Sequence, residues 1–214
     1  EKYEKFWHAF GTQLKYGVVA DYGAKKDLLQ DLLLFWSSKE NTYTTLAAYQ
    51  DRMPEDQKFV YYACGEDPEK IAKLPQVERI LDKGYEVLYL TEEVDEFVMQ
   101  VLAKVEEKTI KSVSDPDALP ESEEEKAKVE KQAEESKGVL DFVKETLGDK
   151  IKEARVSKIL KSGTVCLTAD GPMSIEMEKY FHKIGENAGM KAEKVLELNA
   201  DSPAFQALKA AVDG

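Results

Sequence analysis

Apolar residues return every three or four positions through residues 1–16 (Tyr3, Phe6, Trp7, Phe10, Leu14) and again through 24–36 (Leu28, Leu29, Leu32, Leu33, Phe35, Trp36), the period of helices that bury one stripe. A third short helix is expected over 44–53. The period then changes. Residues 57–65 form an apolar, aromatic and β-branched run of strand length that stops at Gly65, with Asp67 placed to cap a helix and Pro68 to begin it. That helix is broken at Pro75. Residues 85–90 read as a second strand entered from Gly84. Residues 91–105 read as a helix capped by Thr91, turning Val94, Phe97, Val98, Val101, Leu102 and Val105 toward a sheet and leaving Met99, Glu93, Asp95 and Glu96 elsewhere. Residues 108–113 complete a β-α-β-α-β order. Short strands separated by helices pair in parallel through right-handed crossovers. Residues 1–114 are therefore expected to be a three-layer α/β/α unit around a short, three-stranded parallel sheet.

Residues 115–126 (DPDALPESEEEK) concentrate Pro, Asp and Glu without apolar period, the composition of an acidic linker. The acids at 121–125 also suit the first turn of a helix, whose dipole favours negative charge. That helix keeps its period through Val129, Ala133, Leu140, Val143 and Leu147 and stops at Gly148. Residues 151–160 and 164–170 flank Lys161-Ser162-Gly163 and predict an antiparallel hairpin. A helix over 173–184, a strand over 195–199 and a last helix started by Asp201 or Ser202 with Pro203 follow. Residues 127–214 are expected to form a small mixed α+β domain, so the fold class is α/β followed by α+β.

The net charge of −12 repels phosphate backbones, so nucleic acid is not an expected partner. No apolar run approaches the roughly 20 residues that a spanning helix needs, and no membrane partner is expected either. The two cysteines, Cys64 and Cys166, form neither a disulfide framework nor a zinc pattern, which favours a reducing compartment and a cytoplasmic setting. The chain opens at Glu1 inside an amphipathic pattern, with neither an initiator Met nor a cap before it, and reads as an excerpt.

Ligands of open α/β sheets lie beyond the carboxyl ends of the strands. The first such loop is Cys64-Gly65-Glu66-Asp67, whose acids oppose a phosphate, and no glycine-rich phosphate motif occurs. His8 and His182 lack further ligand types at metal spacing, so neither a metal nor a catalytic group is nominated. Met173, Met177, Tyr180, Phe181 and Ile184 fall at i, i+4, i+7, i+8 and i+11, one apolar stripe with two thioethers. Locally such a stripe reads as core; its alternative is an adaptable surface for apolar partner segments. Asn187, Gly185 and Gly189 just downstream favour a mobile connection. Phe97 offers the same choice: core, or, at the edge of its stripe, an aromatic flanked by Glu96 and Gln100.

Residues 44–66 resemble the ninety-kilodalton heat-shock chaperones, whose middle region carries S/T-L-x-x-Y-x-x-R-M-x-x-x-Q-x-x-I/V-Y-Y, matched here by Thr45, Leu46, Tyr49, Arg52, Met53, Gln57, Val60, Tyr61 and Tyr62. The likeness continues through Lys83–Leu88, Val94–Phe97, Met173-Ser174, Met177–Lys179 and Glu197–Asn199, and leans toward bacterial members. Departures are Ala47-Ala48 before the Tyr and Glu197-Leu198-Asn199-Ala200-Asp201-Ser202-Pro203 in place of E-L/I-N-P-x-H-P. The resemblance implies an ATP-driven clamp for unfolded or partly folded client proteins, dimeric when whole. This chain would be its middle-to-C-terminal part. ATP and Mg would be bound upstream, leaving no cofactor and no catalytic residue here, and the final dimerisation helices would lie beyond Gly214, leaving the piece mainly monomeric. By motif the resemblance implies client contacts at Glu96, Phe97 and Gln100, and at Met173, Met177, Tyr180 and Phe181. The readings that compete with it are a small α/β enzyme and a non-chaperone scaffold domain.

Overall fold

The computed structural model describes residues 2–119, 123–185 and 191–214. Asn187 and Gly189, and the expected mobile connection they carry, lie outside the described residues, as do Glu1, Pro120, Glu121 and Ser122. The chain divides into two compact units, Glu1–Ala118 and Leu119–Gly214.

In the first unit the order is α1 (Lys2–Val19), α2 (Lys26–Leu29), β1 (Phe35–Ser37), β2 (Tyr43–Thr44), α3 (Leu46–Asp51), β3 (Phe59–Cys64), α4 (Pro68–Ile71), α5 (Pro75–Leu81), β4 (Val87–Leu90), α6 (Asp95–Leu102), β5 (Lys104–Val105) and β6 (Lys108–Ser112). The sheet has six strands, ordered β2-β1-β4-β3-β6-β5. β4, β3 and β6 run parallel, and β1, β2 and β5 add antiparallel edges that the sequence reading omitted. Period-two alternation decides the layers. Val60, Tyr62, Leu88, Leu90 and Ile110 join Trp7 and Val18 of α1 and Val98, Met99 and Leu102 of α6 in one core. Tyr61, Ala63, Val87 and Tyr89, on the alternate positions, are buried on the other face, where α4 and α5 pack on β4.

Several expectations need correcting. The helix over 24–36 is only one α-turn and a short 3-10 turn, because Leu33 turns extended (ψ 139°) and Phe35–Ser37 gains ladder partners on both sides. A continuous apolar run such as 32–36 reads equally as either element, and strand pairing settles it. On α1 the buried face is Trp7, Gly11, Lys15 and Val18, while Tyr3, Phe6 and Phe10 of the expected stripe are exposed. α6 ends at Leu102 rather than 105, since Ala103 takes a positive φ of 57° and the chain returns through the Glu106-Glu107 turn to pair β5 with β6. Thr91 does not cap it; the preceding residue is Val94, and Met99 is buried.

The second unit runs α7 (Glu123–Glu135), α8 (Lys137–Leu147), β7 (Glu153–Val156), β8 (Val165–Asp170), α9 (Ile175–Lys183), β9 (Glu193–Leu198) and α10 (Pro203–Asp213). The expected single helix is divided at Ser136, which leaves helical geometry (φ −113°, ψ 8°). The expected β7–β8 hairpin does not form. β9 lies between them, parallel to β7 and antiparallel to β8. The turn at 161–163 is instead tied across the end of β9, where Asn199 Nδ2 donates to Gly163 O at 2.9 Å and Asn199 N to Thr164 O. Leu198 packs with Val139, Val143, Val156 and Phe205 beneath α8 and α10. Ser202 caps α10, its Oγ accepting from Phe205 N.

Candidate functional site

The first candidate surface is α6, fixed by a buried cation. Lys15, 3% exposed, pairs with Asp95 Oδ1 and Glu92 Oε1, both at 2.6 Å, and its Nζ sits 5.3 Å from the ring centroids of Trp7 and Phe35. Asp95 Oδ2 accepts from Glu92 N, and Thr12 Oγ1 donates to Glu92 Oε2. Two buried or half-buried carboxylates share one ammonium, so α1 and the first turn of α6 are joined by charge as well as by apolar packing. Burial raises the Asp95 pKa, and Lys15 opposes that rise only in part. From this anchor Glu96 is buried, Phe97 half-buried and Gln100 exposed. Gln100 and part of Phe97 are therefore what α6 presents outward.

The second is α9. Ser174 Oγ accepts from Met177 N and caps the helix, so Met173 lies in the turn before it rather than on it. Glu178 is the anchor: its carboxylate accepts from Ala192 N at 2.7 Å, just before β9, and from Lys194 Nζ at 2.5 Å, within it. Burial alone would raise its pKa, but the bonds from Lys194 and Ala192 outweigh that and hold it below the ordinary value. This attachment turns the neighbouring Met177 inward, to 7% exposure, which corrects the expectation that Met177 faces outward with Phe181. Met173, Tyr180 and Phe181 are half-buried, and Tyr180 and Phe181 meet edge to face at 5.7 Å.

The motif of residues 45–62 is a structural junction. Thr45 caps α3 through Ala48 N. The Tyr49 hydroxyl donates to Glu86 O at 2.5 Å and accepts from Gln57 Nε2 and Tyr61 N. Arg52 grips the Glu86 carboxylate with Nε at 3.1 Å and Nη2 at 2.7 Å, and Ser37 Oγ donates to the same group. These side chains stitch α3 to β3 and to the start of β4.

The loop after β3 does not fit a nucleotide. Asp67 accepts from Lys70 N, occupying a donor that a phosphate would use, and Glu66 pairs with Lys70. Gly65 is there for packing, since a Cβ would come within 2.6 Å of Ile71 Cγ1. Burial pushes the Cys166 thiol up to about 12, with Glu197 adding to the rise, so it is no thiolate nucleophile at neutral pH. Among the described residues no group of three His, Cys, Asp or Glu converges as a metal site, and no helix is long and apolar enough to cross a membrane.

Compared with known proteins, residues 1–214 match the Hsp90 protein family throughout. The chain belongs to the Hsp90 family. Within it, the chain is 50% identical over 214 residues to the chaperone protein HtpG of Clostridium botulinum (strain Langeland), covering all of this chain and 34% of that protein. It is 52% identical over 211 residues to HtpG of Clostridium acetobutylicum, covering 99% and 34%, and 49% identical over 213 residues to HtpG of Bacillus subtilis (strain 168), covering 100% and 34%. This Hsp90-family chain thus spans about a third of the length of the curated relatives it matches. Sequence reasoning missed the anchors Lys15 and Glu178. The signal for Lys15 was present: it shares the face of Trp7, Gly11 and Val18, where a lysine is out of place unless paired.

Proposed function

We propose that this chain is the middle-to-C-terminal part of an ATP-driven chaperone clamp of the cytoplasm, binding unfolded or partly folded clients and linking two domains of the clamp. The observation that carries the reading is the match over all 214 residues to the family and to relatives named chaperones. Phe97 and Gln100 on α6, and Met173, Tyr180 and Phe181 on α9, are the client contacts. Glu96 and Met177 support them from beneath. ATP and Mg belong to another part of the parent protein, a placement supported by the acidic, self-capped loop after β3. Dimerisation belongs to another part of the parent protein.

The test is a titration of the 214-residue chain with reduced, carbamidomethylated lysozyme as an unfolded client. Saturable binding that weakens in Phe97→Ser and Phe181→Ser, both still folded by circular dichroism at the assay temperature, supports the reading. Binding indifferent to both substitutions removes it. Calorimetry should show no Mg-ATP binding, and sedimentation should show mainly monomer.

A further inference from the structure

An unpaired edge strand offers a row of N–H and C=O groups to any other strand, and proteins keep such edges short, charged or covered. In the first unit both edges are short, β2 and β5 having two residues each. In the second, β7 has four residues and packs against α7. β8 differs. It is six residues long, stands at the other edge of the order β7-β9-β8, and leaves Val165 and Leu167 49% and 40% exposed.

The ladder decides which backbone groups of β8 are open. Asn199 N donates to Thr164 O, so Thr164, Cys166, Thr168 and Asp170 turn their backbone toward β9, and Val165, Leu167 and Ala169 turn theirs away. Among the described residues nothing pairs with the outward groups of these three. The open run is closed at both ends. Gly163 O already accepts from Asn199 Nδ2 at 2.9 Å, and Gly171 leaves extended backbone with a φ of 86°. The side chains of Val165, Leu167 and Ala169 share one face, beside Leu198, Leu196 and Lys194 of β9. No charged residue lies between 165 and 169, and Asp170 at the end is met by Arg155 at 3.5 Å and Lys152 at 3.7 Å.

We propose that β8 pairs with β8 of a second copy of this chain, antiparallel about a two-fold axis through Leu167, joining two three-stranded sheets into one of six strands. The occupant follows from the edge itself. Antiparallel strands exchange hydrogen bonds between residues that both face the partner, and three open residues bounded by Gly163 and Gly171 match their own copy without remainder in one register. Leu167 then stands opposite Leu167, and Val165 opposite Ala169. The exposed Val165 and Leu167 gain apolar neighbours on one face, and no like charges meet. A strand pair about 20 Å long buries less than the roughly 1,200 Å² of a stable interface, so Kd is on the order of 0.1–1 mM. At micromolar concentration the chain therefore stays mainly monomeric. The pairing does not depend on the chaperone reading.

The experiment follows the backbone amides of the 214-residue chain by two-dimensional NMR from about 0.05 to 1 mM, with sedimentation equilibrium over the same range. The amides of Val165, Leu167 and Ala169 should shift with concentration as dimer forms. Leu167→Lys sets two ammonium groups opposite each other, and Leu167→Pro removes an N–H that the monomer does not use; each should weaken association by at least about tenfold. Leu167→Val should associate as the parent does. Circular dichroism checks that the variants fold, and Leu167→Lys decides the matter if the proline variant does not. Added salt should strengthen association slightly, because two chains that each carry a net charge of −12 repel and no ion pair is formed between them. A parent that stays monomeric at about 1 mM overturns the pairing, as does association that Leu167→Lys leaves unchanged or that salt abolishes. Concentration shifts confined to other segments, such as Tyr3, Phe6 and Phe10 of α1, overturn it equally.

Discussion

α6 and α9, the two helices proposed as client contacts, are fastened by opposite means. α6 is held by a lysine sunk beneath two aromatic rings and shared between Glu92 and the buried Asp95. α9 is held by one carboxylate, Glu178, that gathers a backbone N–H and an ammonium near the surface. In the first case a charge is expensive to bury and must be matched; in the second, hydrogen bonds stabilise the charged form. The difference teaches that the anchor of α6 breaks abruptly when its cation is lost, whereas that of α9 loosens by degrees.

The largest effect is expected at Lys15. Lys15→Met leaves buried carboxylate charge unmatched and should cost the first unit about 3–5 kcal/mol. Both tryptophans, Trp7 and Trp36, lie in that unit, so their fluorescence during a urea titration reads this loss alone. Adding Asp95→Leu should recover much of it; if the double variant is no better than the single, the ion group is not what holds α6.

Next comes the interior of α9. Met177→Ala should cost about 2–5 kcal/mol as a buried truncation, and Phe181→Ala distinctly less. Far-UV circular dichroism should report the change while tryptophan fluorescence does not move. Equal costs would mean that the two side chains are equally buried, against the geometry described.

Glu178→Gln should cost about 1–3 kcal/mol, since it weakens two charge-assisted bonds without removing the side chain. The smallest effect, and the sharpest contrast, is in pH. Asp95 has a raised pKa when folded, so the folded state takes its proton first and its contribution to stability grows as pH falls from that raised value toward the ordinary one. Glu178 has a lowered pKa, so its contribution is present above the ordinary value and is lost as pH falls through the depressed one. Parent-minus-variant stability should therefore rise on acidification for Asp95→Asn and fall for Glu178→Gln. Parallel slopes would contradict the two anchoring modes.

What could be read from the sequence was local. β3 and β4 announce themselves as apolar runs, and Asp67-Pro68 and Ser202-Pro203 mark helix starts by side-chain chemistry within three residues. What could not be read depends on partners far along the chain. Phe35–Ser37 becomes a strand because β4, fifty residues on, accepts it. β9 separates β7 from β8 although it comes last of the three. The buried face of α1 was misread because Tyr3, Phe6 and Phe10 are more apolar than Gly11 and Lys15, yet α6 selects the second set. The α9 stripe was legible as a pattern; which way each member turns depends on Glu178 reaching Ala192 and Lys194.

The hydroxyl of Tyr49 has a consequence for how this sequence can drift. It serves three separate segments at once, through Gln57, the Tyr61 N–H and the Glu86 carbonyl. Replacing it with Phe takes this partner from the Tyr61 N–H and the Glu86 carbonyl and leaves Gln57 Nε2 only its bond to Phe59 O, and no single second change restores all three contacts. Viable evolutionary paths therefore go around this position, and the run from Thr45 to Tyr62 can persist as a recognisable signature of common ancestry without ever touching a substrate.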